Sequence, residues 1–323
     1  SETEVLFDVI KTLKSKGVSI VYISHRMEEI FELCDRITVL RDGEYVGTRN
    51  ICDITMDDIV QMMIGREIGE RFPKRDVTIG DEVIRVENLS RKGKFNDISF
   101  SVRAGEVLGV AGLMGAGRTE IMQAIFGNEH YDKGDIYING VKHTIKTPAQ
   151  AIKAGIGFIT EDRKTEGLLL EKSIADNIEI ANLNKVSDKG VIKADKKKSI
   201  VQKAIDEFRI KCFSEQQECN NLSGGNQQKV VLAKWIYTDP KILILDEPTR
   251  GVDIGAKKEI YNVINDMAAK GVAVIMVSSE LPEVLGMSDR VMVIREGKVM
   301  GIVDGKTADQ SAIMTLATGT NQA

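Results

Sequence analysis

The chain has no long apolar run and no excess of basic residues, and each absence excludes a class of protein. No stretch of 18 or more apolar residues occurs among its 323 residues, and the N-terminus lacks the basic head and apolar core of a signal peptide. Any role at a membrane is therefore expected to act through a partner. The net charge of -4 gives no positive field for nucleic acid, and the lysine cluster at 196–198 is interpreted as a solvated helix face.

Cysteine is also scarce. The four cysteines, at positions 34, 52, 212 and 219, show no Cys-x-x-Cys spacing and are too few to cross-link a chain of this size. We therefore expect neither a disulfide framework nor a cysteine metal site, which fits a reducing, cytosolic setting. The remaining composition, 42% hydrophobic and 28% charged, is typical of a globular protein that can bury at least one large core.

What the chain does contain is an internal repeat. Residues from about 5 to 65 match residues 254 positions further along, without a gap. Self-similarity at one fixed offset indicates duplicated units, each here about as long as a complete domain. The matched identities are Lys16-Gly17-Val18 with Lys270-Gly271-Val272, Asp35-Arg36 with Asp289-Arg290, and Gly43 and Gly47 with Gly297 and Gly301.

The repeat predicts an incomplete first domain and a complete second one. Residues 1–65 have helix and strand patterns but no phosphate loop, so we expect them to be the C-terminal tail of a truncated first domain. Within them, the apolar run 18–24 predicts a strand that is buried on both faces but lacks its neighbours. Residues 66–82 are polar and predict a linker, and the second domain is expected to span 83–323.

The pattern of the second domain indicates its fold class. Strand and helix patterns alternate from residue 83 onwards, which predicts an α/β fold with a mostly parallel core sheet. Residues from about 173 to 238 are mainly helical instead. They predict a helical subdomain inserted between the two halves of the sheet.

A glycine-rich stretch follows the buried strand 107–111 and opens a helix, which is the context that a phosphate-binding loop requires. Its glycines let the backbone curl around phosphate oxygens, and Thr119 is a candidate Mg²⁺ ligand. Arg118 stands where such loops carry a lysine, and its planar guanidinium is not interchangeable with a compact ammonium. The candidate ATP-binding residues are Gly112, Leu113, Met114, Gly115, Ala116, Gly117, Arg118, Thr119 and Glu120.

A second motif supplies two carboxylates. The apolar stretch 242–245 predicts a strand that brings Asp246 and Glu247 to its C-terminal end, where ligands gather in open α/β sheets. Asp246 is expected to steady Mg²⁺ through water, and Glu247 to polarise the attacking water. Without the other motifs, the same residues would suit a strand end followed by a helix cap.

Between these two motifs lies a Ser-Gly-Gly turn that opens a helix. Such a turn can direct backbone N–H groups and a hydroxyl at a phosphate, aided by the positive end of the helix dipole. Alone it indicates a helix cap more often than a phosphate site, but its place between 112–119 and 242–247 favours the phosphate. The residues concerned are Leu222, Ser223, Gly224, Gly225, Asn226 and Gln227.

Together the motifs resemble those of the ATP-binding subunits of ABC transporters. Residues 222–228 are similar to the signature of that family, 112–119 to its Walker A loop, 242–247 to Walker B, and Gly251-Val252-Asp253 to the D-loop. The tandem arrangement and the run 161–164 are similar to the second cassette of monosaccharide importers of the ribose or galactose class.

This resemblance implies a P-loop NTPase fold of the ABC type, in which an antiparallel β subdomain and a helical subdomain flank the core sheet. It also implies ATP and Mg²⁺ as cofactors, ATP hydrolysis by the full protein, and a peripheral position on the cytoplasmic face of the membrane. The implied partners are transmembrane permease subunits, a periplasmic or extracellular sugar-binding protein indirectly, and a first nucleotide-binding domain paired head to tail. No nucleic acid partner is expected.

Several positions depart from the pattern of that family. Glu161 stands at the Q-loop position, where the family has glutamine, and Ser279 stands where it has the switch histidine. The repeat aligns Ser279 with His25, which is therefore the candidate switch residue of the first domain. Serine is shorter than histidine and does not ionise near neutral pH. With Arg118, these changes predict that the second domain binds ATP but hydrolyses it poorly, and that its signature serves the first domain's site.

Two other functions stay open. The chain could be a nucleotide-binding regulatory module, with turnover confined to the first domain. An ABC protein of translation or DNA repair is disfavoured by the acidic balance and by the absence of a basic arm. Among weaker candidate residues, Phe95 could stack on adenine but is expected to pack against its strand, Trp235 is expected in the core, and 166–170 is a candidate permease contact.

Overall fold

The computed structural model of this chain describes residues 2–23, 27–41, 44–55, 58–59, 62, 72–73 and 75–319. By their contacts the residues form two compact units, one of residues 1–71 with 253–255 and one of residues 72–252 with 256–319 and the remaining C-terminal residues. Among the described residues, no helix combines the length and the apolar character that a membrane span needs. The domain bounds expected from the sequence stay a prediction.

In its described residues, the first unit contains two helices and a two-stranded sheet. Its elements are α1 (Glu2–Ser15), α2 (Met27–Leu33), β1 (Arg36–Arg41), β2 (Glu44–Asn50) and a 3₁₀ turn (Ile51–Asp53). Strands β1 and β2 pair antiparallel, and Ile30, Ile37, Val39 and Ile59 form a small core. The strand expected at 18–24 is not formed over 18–23, because no strand in the described part of this unit pairs with it.

The second unit contains the remaining strands and helices. Its strands are β3 (Glu82–Arg91), β4 (Phe95–Arg103), β5 (Val107–Ala111), β6 (Lys133–Ile138), β7 (Val141–His143), β8 (Ile156–Ile159), β9 (Ser187–Asp188), β10 (Val191–Ile192), β11 (Ile242–Asp246), β12 (Ala273–Val277), β13 (Arg290–Arg295) and β14 (Lys298–Asp304). Its helices are α3 (Arg118–Phe126), α4 (Pro148–Ala154), α5 (Ile174–Ile180), α6 (Leu183–Val186), α7 (Ala194–Glu207), α8 (Gly224–Ile236), most of α9 (Ile254–Ala269), α10 (Leu281–Met287) and α11 (Gln310–Thr318).

The core sheet has six strands in the order β14-β13-β5-β12-β11-β8. All neighbours within it are parallel except β13 and β14, which form an antiparallel hairpin at one edge. A separate four-stranded sheet, β4-β3-β6-β7, is antiparallel throughout. The predicted α/β fold, with a mostly parallel core sheet and an antiparallel β subdomain, is confirmed.

Two apolar clusters cover the faces of the core sheet. On β11, Ile242 and Ile244 contribute to the cluster shared with the antiparallel sheet and α3, while Leu243 and Leu245 contribute to the cluster shared with α5 and α8. Side chains alternate between the faces of a strand, so a strand covered on both faces is apolar throughout. This explains the near-continuous apolar sequences of the central strands.

The helical region lies between β8 and β11, as expected from the sequence. Helices α5, α7 and α8 pack around a core that includes Ile178, Val201 and Leu232, all at most 1% exposed. A hairpin formed by β9 and β10, each two residues long, interrupts the helices. Capping residues set two of the helix starts, because the Ser173 and Ser223 hydroxyls accept hydrogen bonds from backbone N–H groups of α5 and α8.

Candidate nucleotide site

The loop that follows β5 carries the predicted phosphate-binding residues. All five residues of β5 are buried, so the start of the loop is firmly placed, and α3 begins at Arg118. Gly115 and Gly117 have φ angles of 77° and 97°, a left-handed conformation that glycine adopts at little steric cost. The first N–H groups of α3 lack partners within the helix, so this end can bind an anion.

The other residues of the loop differ widely in exposure. Met114 is 98% exposed at the tip and Leu113 is 46% exposed, whereas the Ala116 side chain is buried. Glu120, in the first turn of α3, accepts a hydrogen bond from Lys94 Nζ at 3.4 Å. The tip of the loop therefore presents an apolar side chain to its surroundings, while its base is anchored.

Asp246 ends β11 in a setting that fits a divalent cation. It is 1% exposed, and neither carboxylate oxygen has a hydrogen-bond partner of ordinary geometry. Burial raises the pKa of Asp246 to about 6, although the Thr119 hydroxyl and the Arg118 charge act in the opposite direction. A buried carboxylate without a partner, next to a threonine hydroxyl, provides the oxygen ligands that Mg²⁺ prefers.

A cavity of about 330 Å³ opens beside these two residues. Thr119 and Asp246 line it together with Glu161 and Arg250. No group of three or more His, Cys, Asp and Glu side chains forms a metal site in the described part of the chain. Thr119 and Asp246 are thus two candidate protein ligands for a cation at this cavity, which also has room for oxygens from a bound ligand.

Arg118 does not extend freely from the loop but contacts the carboxylate that was predicted to act on water. Its Nη1 donates to the backbone oxygen of Ser278 at 2.9 Å, and its Nη2 lies 3.7 Å from Glu247 Oε1. Both side chains are only 11% exposed. Ser279 Oγ donates to Glu247 Oε2 at 3.0 Å. The structure thus brings Arg118, Glu247 and Ser279 together, with the Glu247 carboxylate contacted by a cation and a hydroxyl.

Glu161, at the predicted Q-loop position, also has a cationic partner. Its carboxylate forms an ion pair with the Arg250 guanidinium, on the turn that follows β11. The two side chains remain partly exposed, at 38% and 63%. The pair lies at the wall of the cavity, and the Arg250 guanidinium partly neutralises the charge of Glu161.

The Ser-Gly-Gly turn forms the expected N-terminus of a helix. Ser223 Oγ accepts from the Asn226 backbone N–H at 3.4 Å, and α8 begins at Gly224. Gln227 is 4% exposed, and its Nε2 donates to the Cys219 oxygen at 3.0 Å. No residue from 222 to 228 is among those that line the cavity beside Asp246.

This geometry can now be compared with known proteins. The sequence profile of the ABC transporter family matches residues 95–250, which include the phosphate loop, the turn at 222–228 and the carboxylates of β11. The chain therefore contains a domain of the ABC transporter family. The matched residues include Thr119 and Asp246, together with part of each of the two apolar clusters.

Curated relatives of this ABC protein match nearly the whole chain. The ribose import ATP-binding protein RbsA of Geobacillus kaustophilus is 60% identical over 321 residues, which cover 99% of this chain and 65% of the relative. The protein of the same name from Bacillus subtilis is 57% identical over 318 residues, 98% of this chain and 64% of the relative. The chain thus spans about 65% of the length of the curated relatives it matches.

Solved structures of ABC cassettes share the fold. A nucleotide-free ATP-binding cassette from an ABC transporter has a TM-score of 0.60 and 25% identity, and the match covers 73% of this chain and 95% of that one. An ATP-binding cassette of an ABC transporter in its ADP conformation has a TM-score of 0.60 and 24% identity, with the same coverage. These matches confirm the predicted ABC type of fold.

Two predicted site residues of this ABC protein cannot be placed in the cavity. His25 lies outside the described residues, so its proposed switch role stays a prediction. Asp253, of the predicted D-loop, precedes α9 and groups by its contacts with the first compact unit. Its role also stays a prediction.

Phe95 and Trp235 pack against other side chains, as expected from the sequence. Phe95 begins β4 and is 3% exposed, so its ring is part of the core and is not available to stack on a base. The Trp235 ring packs edge-on against Phe126, with ring centroids 5.5 Å apart. In the segment 166–170, Leu168 is buried and Leu169 is 47% exposed.

Three contacts at the candidate site were not predicted from the sequence. Arg250 pairs with Glu161, the Ser278 oxygen accepts from Arg118, and Arg163 bonds two backbone oxygens after β11. Each involves residues directly after the C-terminal end of a core strand, where side chains of an open α/β sheet converge. The signal was therefore positional, since no local motif identifies the partner of a charged residue.

Proposed function

We propose that this chain belongs to the ATP-binding, energy-coupling subunit of a monosaccharide importer, with ribose the favoured sugar. The support is the match to ribose import ATP-binding proteins over nearly the whole chain. In this proposal residues 83–323 are the second cassette and residues 1–65 repeat the end of a first one. The full protein would hydrolyse ATP to drive permease subunits on the cytoplasmic face of the membrane.

The proposed ATP site combines the loop at 112–119 with the end of β11. The phosphates would lie at the N-terminus of α3, and Thr119 and Asp246 would hold Mg²⁺. When bound, Mg²⁺ neutralises charge on the phosphate oxygens. Asp246 would contribute its unpartnered carboxylate, and its burial excludes water from one side of the site.

One observation carries the proposal that this cassette hydrolyses ATP poorly. The Glu247 carboxylate contacts both the Arg118 guanidinium and the Ser279 hydroxyl, at 3.7 Å and 3.0 Å. A carboxylate engaged in this way is a poor acceptor for a proton from water. Serine at 279 also lacks the reach and the charge of a histidine towards a phosphate.

The partners follow from the same proposal. Permease subunits would contact the segment near 166–170, and a sugar-binding protein would act indirectly through them. A first cassette would pair head to tail with this one, so that the signature at 222–228 completes the opposite site together with His25. The absence of signature residues from the lining of the cavity beside Asp246 supports this arrangement.

The test is to measure nucleotide binding and phosphate release on this chain. We expect MgATP to bind, and Thr119→Ala to weaken that binding, since it removes a proposed cation ligand. Phosphate release should stay at background in the wild type and should not change in Glu247→Gln. A variant that combines Arg118→Lys, Glu161→Gln and Ser279→His carries the residues usual in the family at these positions and should gain turnover. Robust turnover by the wild type that is lost in Glu247→Gln would contradict poor hydrolysis.

The contact of Arg118 with Glu247 also favours a second candidate function. In that case the chain is a nucleotide-binding regulatory module, and turnover belongs to the first cassette alone. Turnover of a two-cassette protein with its permease, compared before and after Glu247→Gln, tests whether this cassette contributes any turnover of its own, which the regulatory module excludes. A loss of at least half the turnover assigns hydrolysis to this cassette, while unchanged turnover supports the regulatory module.

A further inference from the structure

Arg163 is in contact with three separate parts of the cassette. Its Nη1 donates to the Arg250 oxygen at 2.9 Å and its Nη2 to the Gly251 oxygen at 3.2 Å. Its Nε donates to Gln227 Oε1 at 3.4 Å. One guanidinium therefore joins the segment after β8, the turn after β11 and the first turn of α8.

The same two segments are also joined in the opposite direction. The Arg250 side chain pairs with Glu161, while the Arg163 side chain bonds the backbone of Arg250 and Gly251. Glu161 and Arg250 line the cavity with Thr119 and Asp246. The segment after β8 and the turn after β11, both of which contribute to the cavity wall, are therefore joined by two sets of side-chain contacts.

The signature end of this connection is closely packed. A Cβ on Gly224 would lie 2.8 Å from Arg163 Nη2, so a larger residue at this position would require the guanidinium to shift. Gln227 is 4% exposed and held by its second bond to Cys219. The first turn of α8 therefore has little freedom to move independently of Arg163.

We infer that Arg163 is a positioning residue that couples the occupancy of the nucleotide cavity to the start of the signature helix. The inference rests on the proposed ATP binding at this cavity. Arginine is needed because its planar guanidinium offers five N–H donors in a fixed geometry, and three acceptors are used here. Lysine offers a single charged centre that cannot reach all three.

The test is hydrogen exchange of this chain with and without MgATP, alongside calorimetric titration. In the wild type, MgATP should slow exchange at 112–122 and also at 227–231, which do not line the cavity. In Arg163→Gln the affinity for MgATP should stay within about threefold of the wild type, since Arg163 does not contact Thr119 or Asp246. The slowing at 227–231 should be lost, and exchange there without nucleotide should be roughly tenfold faster.

Two further variants separate coupling from general stability. Lys164→Gln removes the same charge from the next, exposed residue and should behave as the wild type. Arg163→Lys keeps the charge and should retain less than half of the slowing at 227–231; it also serves as the test variant if Arg163→Gln fails to fold. A purely structural role would raise exchange equally with and without MgATP and leave their difference intact.

The outcomes also distinguish this inference from the proposed function. If the wild type fails to bind MgATP, the proposed function is wrong and the inference with it. If the wild type binds MgATP but 227–231 are not slowed, or if Arg163→Gln and Arg163→Lys retain the full slowing, only the coupling role is overturned.

Discussion

Residues 18–23 and 272–277 have almost the same apolar pattern, yet their structures differ completely. In the second segment, strand β12 lies between β5 and β11, and all five of its residues are buried. In the first, residues 18–23 form no strand, and Val21 and Ile23 are 90% and 93% exposed. The positions that correspond to them at the offset of the repeat, Ile275 and Val277, are 0% and 1% exposed.

The elements that need no distant neighbour behave alike in the two copies. Helices α2 and α10, strands β1 and β13, and strands β2 and β14 begin and end at positions separated by the same 254 residues. Both hairpins also have an irregularity at the corresponding place, after Val39 and after Val293. Local pattern therefore suffices for a helix or a hairpin, whereas a parallel strand requires neighbours from elsewhere in the chain.

The largest difference between the two segments is expected when the same charge is placed at matched positions in each. Ile275→Asp puts a carboxylate in the centre of the buried sheet and should lower the free energy of unfolding by more than about 4 kcal/mol. Val21→Asp, at the corresponding exposed position, should change it by less than about 0.5 kcal/mol. Urea unfolding followed by circular dichroism measures both. A loss of similar size in the two variants would show that residues 18–23 are buried after all.

A second matched pair tests the start of β13, the first strand of the hairpin formed with β14. Arg290 Nε donates to Glu106 at 2.6 Å, and Glu106 is 1% exposed. Arg290→Ala leaves that carboxylate buried without its cation, which should cost about 3 kcal/mol. Arg36, the matched residue in the first copy, is exposed, and Arg36→Ala should cost less than about 0.5 kcal/mol.

A double-mutant cycle serves as the control for that pair. Replacing Glu106→Leu in the Arg290→Ala background removes both charges and should recover most of the loss, because no buried charge is then left unpaired. If the double variant is as unstable as Arg290→Ala, the loss comes from packing and not from the charge.

Asp246 lies at the end of β11 beside Val277 of β12, and it is 1% exposed. Because burial raises the pKa of Asp246 to about 6, the folded protein binds this proton more tightly than the unfolded chain. Ionisation of Asp246 therefore destabilises the fold, by an amount that grows from about pH 4 to about pH 6 and is complete above. Without Mg²⁺ or nucleotide, Asp246→Asn should be more stable than the wild type at pH 7.5, by about 3 kcal/mol.

The pH series supplies the check on that prediction. Near pH 4 the wild-type carboxyl is protonated and resembles the amide, so the difference between the two proteins should disappear. Thermal unfolding in a chelating buffer at several pH values measures it. A difference that does not depend on pH would show that Asp246 is not the group responsible.

Sequence patterns sufficed for much of the fold, and they predicted Thr119 and Asp246, which the structure brings together at one cavity. The strands that deliver Asp246 and the loop at 112–119 were predicted because both are short apolar runs followed by residues with special chemistry. The partners of Arg118, Glu161 and Arg163 were not predicted. Each partner is far away in sequence, and the side-chain pattern at one strand end carries no information about the next.

The sequence by itself determined the α/β class and the repeat, and it predicted the candidate residues at 112–120 and 246–247, because these depend on local periodicity and local backbone chemistry. Only the tertiary structure decided that β12 is a strand while its counterpart at 18–23 is not, since a parallel strand is stabilised by neighbours on both sides. It likewise decided that Arg118 contacts Glu247 and that Arg163 joins the turn after β11 to the first turn of α8. Those contacts depend on which strand ends lie side by side in the sheet.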